Sequence, residues 1–272
     1  MNRRAFGGMV AAAAAAPAMA ARAGSGPGSG DEPKGTGARF PMMHAGRRPE
    51  IGMLLYPGLT LMDLLGPQTA LATSANVHLA WKTRDLIESD TGIGLRPTTT
   101  LADCPRDLDA IFVGGGPGQF ALMNDPEVIG FLADRGSRAK YVTSVCSGSL
   151  LLGAAGLLRG YRATSHWACR ELLPLFGATP VEGRVVVDRN RISGGGVTAG
   201  LDFGLVLLAK LLGDDVAKMT QLAMEYDPEP PFRAGTPGEA GPEITRKVRD
   251  WMGPFEGLMR RVSEEAGRTM PR

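Results

Sequence analysis

The chain has 272 residues, enough for one large domain or two small ones with a substantial buried core. Hydrophobic residues make up 43% and charged residues 21%, a balance that excludes a membrane-spanning chain, a coiled coil and a wholly disordered protein. The net charge of +2 lacks the basic excess of a nucleic-acid binder, and the three cysteines are too few for a disulfide scaffold and too scattered for a paired zinc motif.

The chain opens with Arg3-Arg4-Ala5-Phe6, followed by an uncharged run from Gly7 to Ala16 and a small-x-small site at Ala18-Met19-Ala20. Charged start, uncharged core and cleavage site in that order read as a signal peptide over 1–23. The paired arginines resemble a twin-arginine signal, which implies a periplasmic or exported protein and the twin-arginine machinery as a partner. A plain low-complexity start, the alternative, would leave the protein cytoplasmic. From Gly24 to Gly37 eight of fourteen residues are Gly or Pro, so 24–48 reads as a flexible linker and folding is expected to begin near Pro49.

The first buried strand is expected over Glu50 to Tyr56, ended by Pro57-Gly58. A helix follows from Asp63 to Ala75, then a strand from Val77 to Thr83 and an extended piece from Gly94 to Leu101. Asp109 to Val113 is a third buried strand, closed by the glycine run from Gly114. Pro126 to Arg138 reads as a helix, Tyr141 to Val145 as a strand, and Ser147 to Leu158 as a buried helix, apolar all round. Arg162 to Ser165, Val185 to Asp188 and Arg191 to Ser193 are shorter strands. Helices from Thr198 to Leu212 and from Asp214 to Tyr226 complete a domain over 49–235. This alternation predicts an α/β fold with a mostly parallel sheet and helices on both faces, its ligand site at the carboxyl ends of the strands. In the remaining 236–272, a Pro/Gly segment leads to an amphipathic helix from Ile244 to Glu265, expected to lie on the domain or on a second subunit.

Cys146 sits where a strand runs into a helix, flanked by Ser144, Ser147 and Gly148, the shape of a nucleophile elbow with Cys for Ser. The helix dipole there is expected to favour thiolate. The plainer reading is a buried cysteine in a tight turn. Asp63 has its own plain reading, an N-cap for the helix it opens. His44 falls in the linker and His78 on a strand surface. Cys169 lies one turn from His166, but two such side chains make no metal site. Cys104 and Cys169 read as structural, a bridge between them being conceivable in the periplasm.

The run TSVCSGSLLLGAAGL from Thr143 to Leu157 resembles the nucleophile region of the ThiJ/PfpI family. The resemblance continues through Leu61 to Pro67, Ala102 to Pro105, Gly114 to Gly118, Arg162 to Trp167, Ser193 to Gly200 and Glu225 to Phe232. It therefore covers roughly residues 50 to 235 in order, and within the family it is greatest to the branch that hydrates isonitriles. It implies a flavodoxin-like fold, a homodimer, a small-molecule substrate, and neither cofactor nor metal. It places the family's acid at Asp63, near the Cys146 sulfur. Ser147 stands where the hydratase branch has threonine, keeping the hydroxyl that would hold a thiolate. Gly114 stands where the family often has proline. Backbone N–H groups of Ser147, Gly115 and Gly116 are expected to stabilise developing negative charge, with Gly195 and His166 lining the substrate pocket. No histidine follows Cys146, and Gly196-Val197-Thr198 offers no His-Glu pair, which removes the peptidase and glutaminase chemistries of other relatives.

Four functions follow as expectations. The first is an exported carbon–nitrogen hydro-lyase converting an isonitrile to an N-substituted formamide through a Cys146 thioimidate. The second is the same machinery acting on a reactive carbonyl. The third is a non-catalytic sensor or binding domain, and the fourth a redox sensor that oxidises Cys146.

Overall fold

The computed structural model describes residues 44–270, so the proposed signal peptide and most of the linker lie outside the described residues. The elements in chain order are β1 (Glu50–Leu54), α1 (Leu61–Leu71), β2 (Asn76–Trp81), β3 (Ile87–Glu88), β4 (Gly94–Leu95), β5 (Thr99–Thr100) and β6 (Ala110–Val113). There follow α2 (Gln119–Leu122), α3 (Pro126–Arg138), β7 (Tyr141–Val145), α4 (Gly148–Ala154), β8 (Arg162–Ala163), a 3-10 segment (Arg170–Phe176) and β9 (Thr179–Pro180). The last are β10 (Val185–Asp188), β11 (Arg191–Gly194), α5 (Ala199–Leu212), α6 (Asp214–Ala223) and α7 (Pro237–Thr269).

A seven-stranded sheet of order β10-β11-β7-β6-β1-β2-β5 forms the centre. Every neighbouring pair is parallel except the β10–β11 hairpin. β1 and β6 carry short apolar runs because both faces of these central strands are covered; Ile51, Met53, Leu54 and Ala110 to Val113 are fully buried. Chain progress reverses between β1 and β6: β1 crosses to β2 on one side, and β6 crosses to β7 on the other. Right-handed crossovers then put α1 on one face and α3 on the opposite one. α5 packs against α1, and α4 against α3, so both faces are covered. The reversal opens a crevice at the carboxyl ends of β1 and β6, the ligand position in such sheets. Among the described residues no helix is long and apolar enough to cross a membrane.

Several boundaries differ from the sequence reading. α1 begins at Leu61 with Thr60 as N-cap, so Asp63 is not the cap but stands inside the first turn. The extended piece over 94–101 is two separate strands, with β4 pairing β3 in a hairpin of its own. The helix expected through Leu158 ends at Ala154, because Gly156 turns the chain at φ 76°. β8 pairs with β9 outside the main sheet. α6 ends at Ala223, and Glu225 just beyond it takes φ 49°. Residues 44–48, read as linker, are fastened to the domain: His44 Nε2 meets Ser74 O at 3.1 Å and Arg47 pairs with Asp109 at 2.7 Å.

The C-terminal helix starts at Pro237 rather than Ile244, with Thr236 accepting the Glu239 N–H and a break at Gly241. It lies on its own domain. Met259, Ser263 and Ala266 are buried, Phe255 meets Phe120 edge-on at 4.8 Å, and Arg260 pairs with Glu171. The chain from Asp227 to Thr236, which leads to it, is exposed throughout. α5 packs against α1 and α6 of its own chain.

Candidate active site

Cys146 follows β7 directly and adopts φ 58°, a conformation that costs a non-glycine residue about 1–3 kcal/mol. Hydrogen bonds hold it there. Its N–H donates to Gly195 O at 2.6 Å, and its carbonyl accepts from Ser165 Oγ at 2.9 Å. Gly148, two residues on, passes so close to the end of β6 that a Cβ there would collide with Val113 O. The small residue two positions after Cys146 is thus required by backbone contact.

Asp63 projects from the first turn of α1 into the same spot. It is fully buried, and its Oδ2 accepts the Gly115 N–H at 2.7 Å. Its Oδ1 is buried with no well-formed hydrogen bond, and the Cys146 thiol interacts with the same carboxyl. Burial raises the Asp63 pKa to about 7, against the smaller opposing pull of the Gly115 N–H and the thiol.

The thiol itself is pushed well above its ordinary pKa, first by burial and then by the Asp63 charge. The Ser147 N–H, bonded to the sulfur, works in the other direction but does not prevail. The expectation of a resting thiolate is therefore corrected. α4 is only seven residues long, and its dipole cannot outweigh desolvation beside a carboxylate. Near pH 7 the sulfur keeps its proton while the Asp63 carboxyl is about half ionised.

Ser147 is buried, and its hydroxyl also departs from expectation. Its Oγ accepts the Gly116 N–H at 3.3 Å and donates to Gln119 Oε1 at 3.2 Å, leaving only the Ser147 backbone N–H for the sulfur. Gln119, which the sequence reading missed, is fully buried at the start of α2 with Nε2 unpartnered. The Gly115 and Gly116 N–H groups are likewise engaged, on Asp63 and Ser147, so neither waits free for an oxyanion.

Cys146, Asp63, Ser147, Gly115 and Gly116 thus come together at the crevice. Gly195 and His166 instead border a neighbouring cavity. Gly195 is no oxyanion donor, since its N–H donates to Arg184 O at 2.9 Å and its carbonyl holds Cys146. All three cysteines are free, so no Cys104–Cys169 bridge exists. Burial raises Cys104 to about 11 and Cys169 to about 12, which keeps both as inert thiols.

Residues 50–210 match the DJ-1/PfpI family. The chain is 48% identical to an isonitrile hydratase of Pseudomonas putida over 219 residues, covering 80% of this chain and 96% of that one. A solved ThiJ/PfpI family protein of Pseudomonas syringae is 49% identical, with a TM-score of 0.78 over 80% of this chain and 91% of that one. A DJ-1 superfamily protein of Salmonella typhimurium, solved as a cysteine-to-alanine mutant, is 28% identical, with a TM-score of 0.61 over 66% of this chain and 99% of that one.

Proposed function

Since the chain belongs to the DJ-1/PfpI family, we propose that it is an isonitrile hydratase working through Cys146 and Asp63. The observation that carries the reading is the buried Asp63 carboxyl, raised to about 7, against a strained cysteine at the end of a central strand. A group of that pKa takes and returns protons near neutrality with little waste of driving force. The likeness to the Pseudomonas putida enzyme supplies the substrate class.

The chemistry balances with these groups alone. Asp63 takes the thiol proton as the sulfur attacks the terminal carbon of R–NC, and returns it to that carbon, giving the thioimidate R–N=CH–S–Cys146. Water adds across the C=N bond, its oxygen to carbon and its proton to nitrogen. Collapse then expels the thiol and releases R–NH–CHO. Negative charge that builds on sulfur meets the Ser147 N–H. Ser147 and Gln119 fix the glycine loop that holds Asp63 in place. The raised thiol pKa speaks against a peroxide sensor, which works best with a thiolate.

The test is formamide production from an isonitrile. Cys146→Ala is expected to abolish it, Asp63→Asn to slow it roughly 10²–10⁴-fold, and Ser147→Ala to cost less than either, with circular dichroism unchanged. An active Cys146→Ala, or a wild type inert to every isonitrile, overturns the reading.

Export and dimerisation belong to the same proposal. Replacing Arg3 and Arg4 by lysine is expected to leave precursor in the cytoplasm, whereas the wild type is recovered outside it with an N-terminus near Ala21. Met62 and Leu65 stand exposed on α1, on the turns that flank Asp63, and offer an apolar patch for a second copy. Light scattering is expected to give the dimer mass at micromolar concentration; a monomer mass ends the idea.

A further inference from the structure

Between the end of β11, the turn after β8 and the start of α7 lies a cavity of about 430 Å³ that the steps above do not use. Small-molecule sites span roughly 300–1,000 Å³, so the size suits an organic group of modest length. The cavity abuts the nucleophile through its own wall. Ser165 and Gly195, both in that wall, are the residues that hold the Cys146 carbonyl and amide. What lies in the cavity therefore lies next to the residues that fix the Cys146 backbone.

Its polar groups are mainly donors. His166 Nδ1 accepts the Ala168 N–H at 3.3 Å, a bond that leaves the ring proton on Nε2. Burial holds the ring below its ordinary pKa, so it is neutral near pH 7 and offers that single N–H. The ring edge lies close against Gly196, where a Cβ would stand 3.2 Å from Cδ2 and 3.9 Å from Nε2, so glycine is what lets the ring sit there. The N-terminus of α5 begins at the same wall, after its N-cap Thr198. Two guanidinium groups line the space as well. Arg170 pairs loosely with the exposed Glu182 at 3.6 Å, whereas Arg184 is neutralised by Asp202 at 2.6 Å and also donates to Thr198 O at 3.0 Å. Glu182 is the one carboxylate among the lining residues.

We propose that this cavity receives the substituent of the isonitrile and selects one bearing a hydrogen-bond acceptor, a carboxylate being the strongest case, with His166 Nε2–H as the donor that recognises it. The inference rests on the hydratase reading and deepens it by naming the substrate class. A purely hydrocarbon substituent would leave the His166 Nε2–H facing it unpaired, at a cost in binding. An acceptor pairs that N–H, and the positive end of α5 with Arg170 adds attraction for a negative one.

The experiment measures kcat and KM for two isonitriles of matched size, a cycloalkyl isonitrile and an isocyano-alkanoate, on wild type, His166→Phe and His166→Gln. The wild type is expected to favour the carboxylate at least about ten-fold in kcat/KM. His166→Phe is expected to raise KM for the carboxylate about ten-fold and to lower KM for the cycloalkyl substrate, which no longer faces an unpaired donor. His166→Gln, which restores a side-chain N–H, is expected to recover most of the loss. Equal effects on the two substrates, or no effect on either, overturn the inference. If the wild type hydrates no isonitrile, the hydratase reading fails. The cavity is then judged by calorimetric titration with N-formylglycine: binding that His166→Phe abolishes supports it, and no binding to wild type overturns it.

Discussion

Asp63 titrates near 4 in an unfolded chain and at about 7 in the folded site. An acid whose pKa is raised by folding binds its proton more tightly in the native state. Its contribution to stability is thus whole below about pH 4, declines as pH rises, and above about 7 has become a constant penalty. Three pKa units correspond to about 4 kcal/mol. Asp63→Asn is therefore expected to be more stable than wild type at pH 8 and no more stable at pH 4, as read from denaturant midpoints at the two values. Matching midpoints at pH 8 would show that burial does not perturb this carboxyl. In the proposed mechanism the same titration governs rate, because there Asp63 must be ionised to take the thiol proton. kcat/KM for an isonitrile is expected to rise with pH through about 7, and a profile flat from pH 5 to 8 contradicts the assigned role. At this scale the sequence was legible where local pattern carried the information. Cys146 between small residues at a strand end announced its turn, but Asp63 had no such signal, since its partners come from distant strands. Gln119 was invisible because a glutamine in a one-turn helix looks like any surface polar residue until the fold buries it. The protonation of Cys146 was misread because a dipole can be inferred from sequence and desolvation cannot.

Two elements carry backbone choices with measurable consequences. α6 ends with Glu225 at φ 49°, a position that glycine occupies without strain. Glu225→Gly is expected to stabilise the fold by about 1 kcal/mol, seen as a rise in Tm. Gly148→Ala acts in the opposite sense, because the new methyl must displace β6 or α4. It is expected to lose activity together with stability, and an unchanged Tm would contradict the contact. Strands of four or more residues were legible as apolar runs, since a doubly covered parallel sheet leaves no polar face. The two-residue strands β3, β4, β5, β8 and β9 escaped or were mis-sized, because pairs that short are fixed by their partners and not by their own composition. Helix ends slipped for a related reason. Thr60 caps α1 through backbone conformation alone, with no side-chain bond to mark it.

Across the whole molecule, the alternation of strands and helices announced the sheet, but which surface α7 covers was not readable from its apolar stripe. Met259 is buried under α7, whereas Trp251 on the same helix is 81% exposed. Met259→Ala is expected to cost roughly 2–5 kcal/mol in chemical denaturation, and Trp251→Ala less than about 0.5 kcal/mol. The reverse order would mean that α7 sits on the domain by its other side.

The exposed crossing from Asp227 to Thr236 separates covalent from physical continuity. Trypsin is expected to cut first after Arg233, which lies in that stretch. The products should nevertheless travel together through gel filtration and part only in denaturant, since Phe255, Met259 and Ala266 grip the body independently of the severed bond. The clipped protein is thus expected to behave as a two-piece complex. Gly235 to Pro237, just beyond the cut, line the cavity and are expected to loosen from its wall. A single peptide bond thus sets how tightly that wall is held, while Cys146 and Asp63 stay wholly within the larger fragment.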